Sequence, residues 1–183
     1  MSSSLLYGLG IMSGTSLDGL DICYVEFKEN DDNYFKIINS KTFKYNSSWV
    51  NKLSNIHLKN DLEIKKIDLE YGLLISKKIM EFKKDNNISN LDFISSHGHT
   101  VKHKPPDYSI QIGNGKVIRE LTNVTTINDF RSQDIKLGGQ GAPLVPIGDK
   151  YLFGKYDSCL NLGGIANISF DYIGNIKAFD ICG

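Results

Sequence analysis

The sequence has few cysteines, no long apolar run and no excess of charge of either sign. Its three cysteines, Cys23, Cys159 and Cys182, form no Cys-x-x-Cys pair, so reduced thiols in a cytoplasmic protein are the simplest interpretation. No stretch approaches the roughly 18 consecutive apolar residues of a membrane span. The first residues also lack the basic region of a secretory signal, and glycines interrupt their apolar run.

The charge balance excludes two classes of partner. Lysine plus arginine and aspartate plus glutamate number 21 each among 183 residues, which gives a formal net charge of +0. A protein that binds nucleic acid carries a basic patch or stripe, and none is visible along this chain. We therefore expect neither nucleic acid nor an anionic membrane as a partner.

The first half of the chain predicts a strand meander followed by a long helix. From about Asp61 to Lys84, apolar residues recur at spacings of three and four on one face, with lysines on the other. Asp61 is the predicted N-cap, and residues 85–87 are the predicted end of the helix. The apolar face consists of Ile67, Tyr71, Leu74, Ile75, Ile79 and Phe82. The three strands of the antiparallel meander are predicted at Leu5–Met12, Leu20–Phe27 and Tyr34–Phe43.

Strands and helices alternate in the second half, which favours an α/β fold. A glycine-bearing loop at 131–143 precedes a predicted helix that starts near Pro143. The apolar runs 158–170 and 175–182 predict a strand pair around a small-residue turn, an echo of the strand, turn and strand at 5–27. The other predicted elements are strands at 91–98, 109–113 and 124–130 and a helix at 114–121.

The turn GTSLDG at 14–19 carries more polar groups than a hairpin needs. Its glycines let backbone N–H groups approach phosphate oxygens, and Thr15 and Ser16 add hydroxyl donors. Asp18 or Asp21 could hold a hydrated Mg²⁺, which binds proteins through few carboxylates. The alternative is a hairpin turn that carries these polar residues without binding a ligand, with Asp18 and Gly19 at its corner.

Three of the four histidines lie in SHGHTVKH at 96–103. No Cys or Glu nearby completes a zinc site. A strand end that exposes Ser96, His97 and Thr100 to a polar ligand is favoured. For His99 and His103, solvated loop histidines are the alternative.

Two further side chains have chemistry of their own. Arg131, in DFRSQD, suits bidentate recognition of a carboxylate or phosphate, and an ordinary surface pair with an aspartate is the alternative. The glycine-rich residues 138–143 are a hinge or a loop that covers a ligand. Asp180 lies in an apolar run, where a carboxylate is either a base that activates water or a strand-end residue that caps a following helix.

Six segments carry a resemblance to a known family. In chain order they are GIMSGTSLDGLD, SHGHT, SIQIGN, DFRSQDIKLGGQGAPLVP, LNLGGIANIS and AFD. Together they resemble the anhydro-N-acetylmuramic acid kinases, bacterial sugar kinases of the actin/hexokinase/Hsp70 ATPase superfamily. The resemblance implies a ribonuclease H-like (actin-like ATPase) α/β domain with a mixed sheet over residues 1–154. Residues 155–183 would be the first strands of a second, similar lobe.

The resemblance also implies a reaction and its residues. Water opens the 1,6-anhydro bond of the sugar while the γ-phosphoryl group of ATP moves to O6, which recycles cell-wall sugar as N-acetylmuramic acid 6-phosphate. Asp180 would be the catalytic base. His97, Thr100 and Arg131 would line the sugar, with Arg131 near its lactyl carboxylate. The nucleotide phosphates would contact Gly14, Thr15, Ser16, Leu17, Asp18, Gly19, Leu20 and Asp21, with Asp18 and Asp21 on Mg²⁺.

The chain departs from the family pattern in sequence and in length. The family usually has Gln where His99 stands, and Thr or Cys, Gly and Pro where Ile181, Cys182 and Gly183 stand. Family members are longer, so we expect this chain alone to have little or no kinase activity; a homodimer is compatible with a full-length form. Two alternatives are a non-catalytic fragment that binds sugar or a partner chain, and an actin-like or chaperone ATPase. SHGHT and DFRSQD count against the last.

Overall fold

The computed structural model describes residues 4–162 and 166–182. Its strands in chain order are β1 (Leu5–Met12), β2 (Gly19–Lys28), β3 (Asp31–Lys44), β4 (Phe93–Ser96), β5 (His99–Lys104), β6 (Tyr108–Ile112), β7 (Thr125–Asn128), β8 (Ser158–Leu162), β9 (Ala166–Tyr172) and β10 (Asn175–Cys182). Its α-helices are α1 (Ser47–Ser54), α2 (Asp61–Asp85), α3 (Gly115–Thr122), α4 (Ser132–Lys136) and α5 (Val145–Phe153).

The main sheet has five strands in the order β3-β2-β1-β4-β7. The first three strands pair antiparallel, as the predicted meander requires, and β4 and β7 continue the sheet in parallel. The two parallel strands need crossover connections, which α2 and α3 provide. The expected α/β fold with a mixed sheet, typical of an actin-like ATPase domain, is confirmed.

The core lies between this sheet and α2. On the helix, Tyr71, Ile75, Ile79 and Phe82 are fully buried, and they pack against sheet residues such as Ile22 in one hydrophobic cluster. Each such side chain contributes about 1.5–3 kcal/mol to folding through removal of apolar surface from water. The periodicity read from the sequence therefore identifies the face that α2 buries.

The predicted N-cap of α2 is wrong by one residue. The side chain of Asn60 accepts a hydrogen bond from Glu63 N, and the Glu63 carboxylate accepts one from Asn60 N. This reciprocal capping box makes Asn60 the N-cap and leaves Asp61 in the first turn, where its charge favours the helix dipole.

Several local elements differ from the predictions. The loop at 131–143 contains the short helix α4, and the helix expected near Pro143 begins at Val145. The run at 158–170 forms two strands, β8 and β9, so the predicted strand pair is a three-stranded antiparallel sheet in the order β10-β9-β8. The small-residue connection 163–165 lies outside the described residues. Helix α1 follows β3 without having been predicted.

Helix α5 contacts both sheets. The Phe153 ring contacts the Phe35 ring of β3 edge-on, with 5.9 Å between the two ring centroids. The Asp149 carboxylate accepts a hydrogen bond from Ser169 of β9. The domain boundary after residue 154 stays a prediction. Among the described residues, no helix has the length and apolar character needed to cross a membrane.

The strand expected at 91–98 ends early because the chain bends at Gly98. His97 N still donates to Ile11 O at 3.0 Å, but Gly98 has a φ of +70° and β5 starts at the next residue. A Cβ atom on Gly98 would lie 2.4 Å from Ile112 O. Both the left-handed conformation and the approach of the β6 backbone therefore require glycine at this position.

We expect Gly98→Ala to lower the free energy of unfolding by about 2–3 kcal/mol, because it adds a steric clash to an unfavourable backbone conformation. The matched control is Gly148→Ala in α5, where no atom lies within 4 Å of the added Cβ. That control should be neutral or more stable by up to about 1 kcal/mol because alanine favours helix. Urea unfolding measures both, and equal stability of the two variants would contradict the argument.

Candidate active site

The polar turn joins β1 to β2 and exposes most of its functional groups. Leu17 N donates to Gly14 O at 3.4 Å, and Leu17 has a φ of 56°, an uncommon conformation for a residue with a branched side chain. The side chains of Thr15, Ser16 and Asp18 are exposed. The turn therefore presents two hydroxyls and a carboxylate on a tightly bent backbone.

The Asp18 carboxylate is held in its charged form. Ser16 Oγ donates to Asp18 Oδ1 at 2.6 Å, and this bond lowers the pKa of Asp18, with smaller contributions from the backbone N–H groups of Asp18 and Gly19. Asp21, on β2, is exposed and accepts a hydrogen bond from Thr42. Within residues 4–162 and 166–182, no three His, Cys, Asp or Glu side chains group as a complete metal site. Two carboxylates suit Mg²⁺ better than zinc, since Mg²⁺ keeps several waters.

Two of the predicted nucleotide contacts have packing roles. The side chain of Leu20 is 1% exposed and belongs to the core. A Cβ atom on Gly19 would lie 2.8 Å from Phe43 O, so close strand packing requires glycine there. A ligand at the turn could meet these residues through the backbone alone.

The structure brings His97 and Arg131 together. Arg131 Nη2 donates to His97 Nε2 at 2.9 Å, and His97 Nδ1 donates to Gly98 O at 2.9 Å. These two bonds fix the neutral tautomer of His97 that carries its proton on Nδ1. The pKa of His97 is lowered by burial and further by the charge of Arg131, although its bond to Gly98 opposes the shift.

Arg131 also anchors the glycine-rich segment. Its Nη1 donates to Gly141 O at 2.7 Å, and Gly141 N donates to Asp134 Oδ2 at 2.7 Å. Among the described residues Arg131 forms no ion pair with a carboxylate, so the alternative of a surface Arg–Asp pair is wrong. Arg131 Nε is buried without a partner in the same part of the chain.

Gln111 links two of the residues predicted to line the sugar, His97 and Thr100, and sequence reasoning missed it. Its Nε2 donates to His97 O at 3.1 Å and lies 3.4 Å from Thr100 Oγ1. Because β6 pairs with β5, Gln111 stands opposite Thr100 in the register. The segment SIQIGN contained it, but a single glutamine in a short strand has no spacing that marks it as functional.

A second unpredicted network joins the polar turn to the histidine strand. Tyr45 OH donates to Ser13 Oγ at 2.9 Å, Tyr71 OH lies 2.5 Å from Tyr45 OH, and Ser13 Oγ lies 3.3 Å from His99 Nδ1. Tyr45 gives its one proton to Ser13, so Tyr71 donates to Tyr45. Ser13 Oγ donates to His99 Nδ1 in the tautomer that carries the ring proton on Nε2, and it accepts from Nδ1 in the other tautomer. His99 is 4% exposed, which corrects the alternative of a solvated His99.

Protonation of His99 would put a charge on a side chain that is 4% exposed and make both ring nitrogens donors. Ser13 Oγ could then only accept from Nδ1. Burial lowers the pKa of His99, and the nearby His97 lowers it further. By contrast, the Nδ1 of the exposed His103 contacts only Ser109 Oγ, at 3.2 Å.

The polar groups around His97 border a cavity of about 410 Å³. A second cavity of about 260 Å³, between α5 and β8–β10, contains none of the predicted site residues. The first is lined by Asp68, Ser96, His97, Gly98, residues 109–116, Asn128 and Asp129. The side chain of Ser96 is 0% exposed to solvent and forms part of the cavity wall, so its contact with a polar ligand stays a prediction.

Asp180 stands apart from these groups. It lies on β10 opposite Asn167 of β9, beside a register shift before Cys182, and its side chain is exposed. Among the described residues it has no hydrogen bond to the polar turn, His97 or Arg131.

The two buried histidines predict a pH dependence of stability. Both have a lowered pKa in the folded chain, so the unfolded chain takes up protons first as the pH falls below their ordinary value of 6.5. The free energy of unfolding should be highest above that pH and decline below it. In urea unfolding, the double variant with His97→Gln and His99→Gln should not show this decline in the free energy of unfolding. The single variant His103→Gln should still show it. A wild-type profile that stays flat from pH 7 to 5 would contradict the neutral state of both residues.

Comparison with known proteins agrees with these features. The family model described as anhydro-N-acetylmuramic acid kinase matches residues 6–182. Proteins with that name from Photobacterium profundum, Vibrio vulnificus and Shewanella pealeana are each 37% identical, over 172, 180 and 175 residues. The matches cover 88%, 92% and 90% of this chain and 45%, 48% and 47% of those proteins. The chain thus spans about half the length of these curated relatives. It belongs to the anhydro-N-acetylmuramic acid kinase family.

Proposed function

We propose that this chain supplies the phosphate turn and the sugar cavity of an ATP-dependent kinase. The enzyme would convert 1,6-anhydro-N-acetylmuramic acid to N-acetylmuramic acid 6-phosphate with hydrolytic opening of the anhydro ring, in cytoplasmic recycling of cell-wall sugar. The contact between Ser13 and His99 carries the proposal, because it joins the polar turn directly to the strand beside the cavity. Membership of the family supports the choice of substrate.

The residues of the turn suit the binding of magnesium and a triphosphate. Mg²⁺ would neutralise negative charge on the transferred phosphoryl group. Asp18 is charged and exposed, and the hydroxyls of Thr15 and Ser16 lie beside it. Asp18, with Asp21 on the adjoining strand, would hold the hydrated ion, and the backbone from Gly14 to Gly19 would face the phosphate oxygens.

The sugar would lie in the cavity beside His97. His97 is neutral and oriented by Arg131, so its position is fixed before a ligand arrives. Thr100 and Gln111 add polar groups on the adjoining hairpin. The pairing of Arg131 with the lactyl carboxylate stays a prediction, and the free Nε–H of the guanidinium is the group available for it.

Asp180 would act as the base in the ring-opening step. Its carboxylate would take a proton from water as the water oxygen bonds to the anomeric carbon and the bond from that carbon to O6 breaks. O6 then accepts the γ-phosphoryl group, and ADP leaves. Because Asp180 is separate from the cavity residues in this chain, the step requires the sugar to lie between the two sheets.

Phosphate transfer from ATP to anhydro-N-acetylmuramic acid tests the proposal. The 183-residue chain is compared with a longer form that continues into the second half of the Photobacterium profundum relative, and the sugar phosphate is detected by mass. We expect turnover only from the longer form. Sugar binding by the short chain without turnover would fit a non-catalytic fragment, whereas transfer to other sugars alone would contradict the substrate.

Two substitutions in the longer form separate the roles of the carboxylates. Asp180→Asn should lower kcat by about 10²-fold or more, because the general base is lost. Asp18→Asn should instead weaken binding of magnesium and ATP by about tenfold, the equivalent of 1.4 kcal/mol. The matched control is Asp157→Asn, at an exposed position outside the site. An Asp180→Asn enzyme with unchanged kcat would exclude this residue as the base.

A further inference from the structure

Ser96 presents a buried hydroxyl that the fold itself does not use. It ends β4, is 0% exposed and lines the cavity beside His97. Within residues 4–162 and 166–182, its Oγ has no hydrogen-bond partner. A buried hydroxyl left unpaired costs about 1–3 kcal/mol, and a partner that arrives with a ligand would offset this cost.

Gln111 places an acceptor on the same cavity. Its Nε2 donates to the backbone oxygen of His97 at 3.1 Å, and a carbonyl oxygen can only accept. This bond fixes the orientation of the Gln111 amide group. It leaves Oε1 as the polar atom of the amide that is available to a ligand. Gln111 Oε1 is buried and has no partner in the described part of the chain. The cavity wall therefore holds one unpaired atom that can donate and one that can only accept.

The charged side chains that line the cavity do not favour an anion, and Arg131, assigned above to the lactyl carboxylate, is not among the lining residues. Asp68 and Asp129 line it together with a single lysine, Lys116. Both oxygens of Asp68 are used, since Gly113 N donates to one at 2.8 Å and Asn114 Nδ2 donates to the other at 2.7 Å. A carboxylate ligand would meet like charges, and it would have no proton for Gln111 Oε1.

We infer that Ser96 and Gln111 form a subsite for a neutral sugar substituent that both donates and accepts a hydrogen bond. An acetamido group and a ring hydroxyl share this chemistry, whereas the lactyl carboxylate does not. The inference rests on the proposed function, because it assigns one part of the sugar to one wall of the cavity. Ser96 and Gln111 thereby become specificity-determining residues in addition to His97, Thr100 and Arg131.

Calorimetric titration of the 183-residue chain with three sugars tests the inference. They are 1,6-anhydro-N-acetylmuramic acid, 1,6-anhydro-N-acetylglucosamine, which lacks the lactyl group, and 1,6-anhydroglucose, which has a hydroxyl in place of the acetamido group. Ser96→Ala should weaken binding of the first two by about tenfold. The matched control is Ser95→Ala, since Ser95 precedes Ser96 on the same strand, points to the opposite face of the sheet and does not line the cavity.

The pattern across the sugars decides the outcome. A loss confined to the two acetamido sugars assigns the subsite to that group, and an equal loss for all three assigns it to a ring hydroxyl. A loss only for the sugar with the lactyl carboxylate, or no loss at all, would overturn the inference and leave the proposed function standing. If the wild-type chain binds none of the three sugars, the inference fails, and the phosphate transfer assay of the longer form then decides the proposed function separately.

A thermal unfolding scan separates loss of contact from loss of fold. Because Ser96 Oγ has no partner in the described residues, Ser96→Ala should unfold at the wild-type temperature or above. If that variant does not fold, Gln111→Met decides the case, since it removes the unpaired oxygen and keeps the length of the side chain. It should produce the same pattern across the three sugars, and an unchanged affinity for all of them would overturn the inference.

Discussion

The hydrogen-bonded chain from Tyr71 through Tyr45 and Ser13 to His99 is the constraint on which the site depends. It connects α2, the start of the polar turn and β5, three elements that are distant in sequence. Its members are buried or partly buried, so loss of any one of these hydrogen bonds would leave a polar atom unpaired away from water. The turn that would meet phosphate and the strand that would meet sugar are thereby held in one fixed relation.

The second constraint acts on the orientation of rings and amides. Arg131 and Gly98 O select one tautomer of His97, and the backbone oxygen of His97 then selects the orientation of Gln111. Each group fixes the next, so the donors and acceptors around the cavity are set before a ligand binds. Preorganised polar groups of this kind lose little entropy on binding and discriminate by chemistry as well as by shape.

Sequence patterns predicted the fold because they follow from burial. The apolar spacing in α2 and in the three opening strands shows which faces of these elements are buried. In the structure, α2 and these strands begin and end close to the predicted residues. Among the site residues, the grouping of His97 with Arg131 was implied by the family resemblance, and both residues come just after the ends of β4 and β7, two adjacent parallel strands. Gln111, Tyr45 and Ser13 could not be found this way, because their roles depend on pairing across strands and on the contact of Tyr45 with Tyr71 of α2. The N-cap failed for a related reason, since both Asn60 and Asp61 can cap and only the reciprocal bond with Glu63 decides.

Helix α5 has a mechanical consequence for any closure around a ligand. Phe153 meets β3 through an edge-on ring contact, and Asp149, one turn earlier, is bonded to Ser169 of β9. Rotation of the three-stranded sheet toward the five-stranded one would have to slide the ring contact or break the hydroxyl–carboxylate bond. Helix α5 therefore limits such rotation to small shear displacements unless either the Phe153–Phe35 ring contact or the Asp149–Ser169 hydrogen bond is lost.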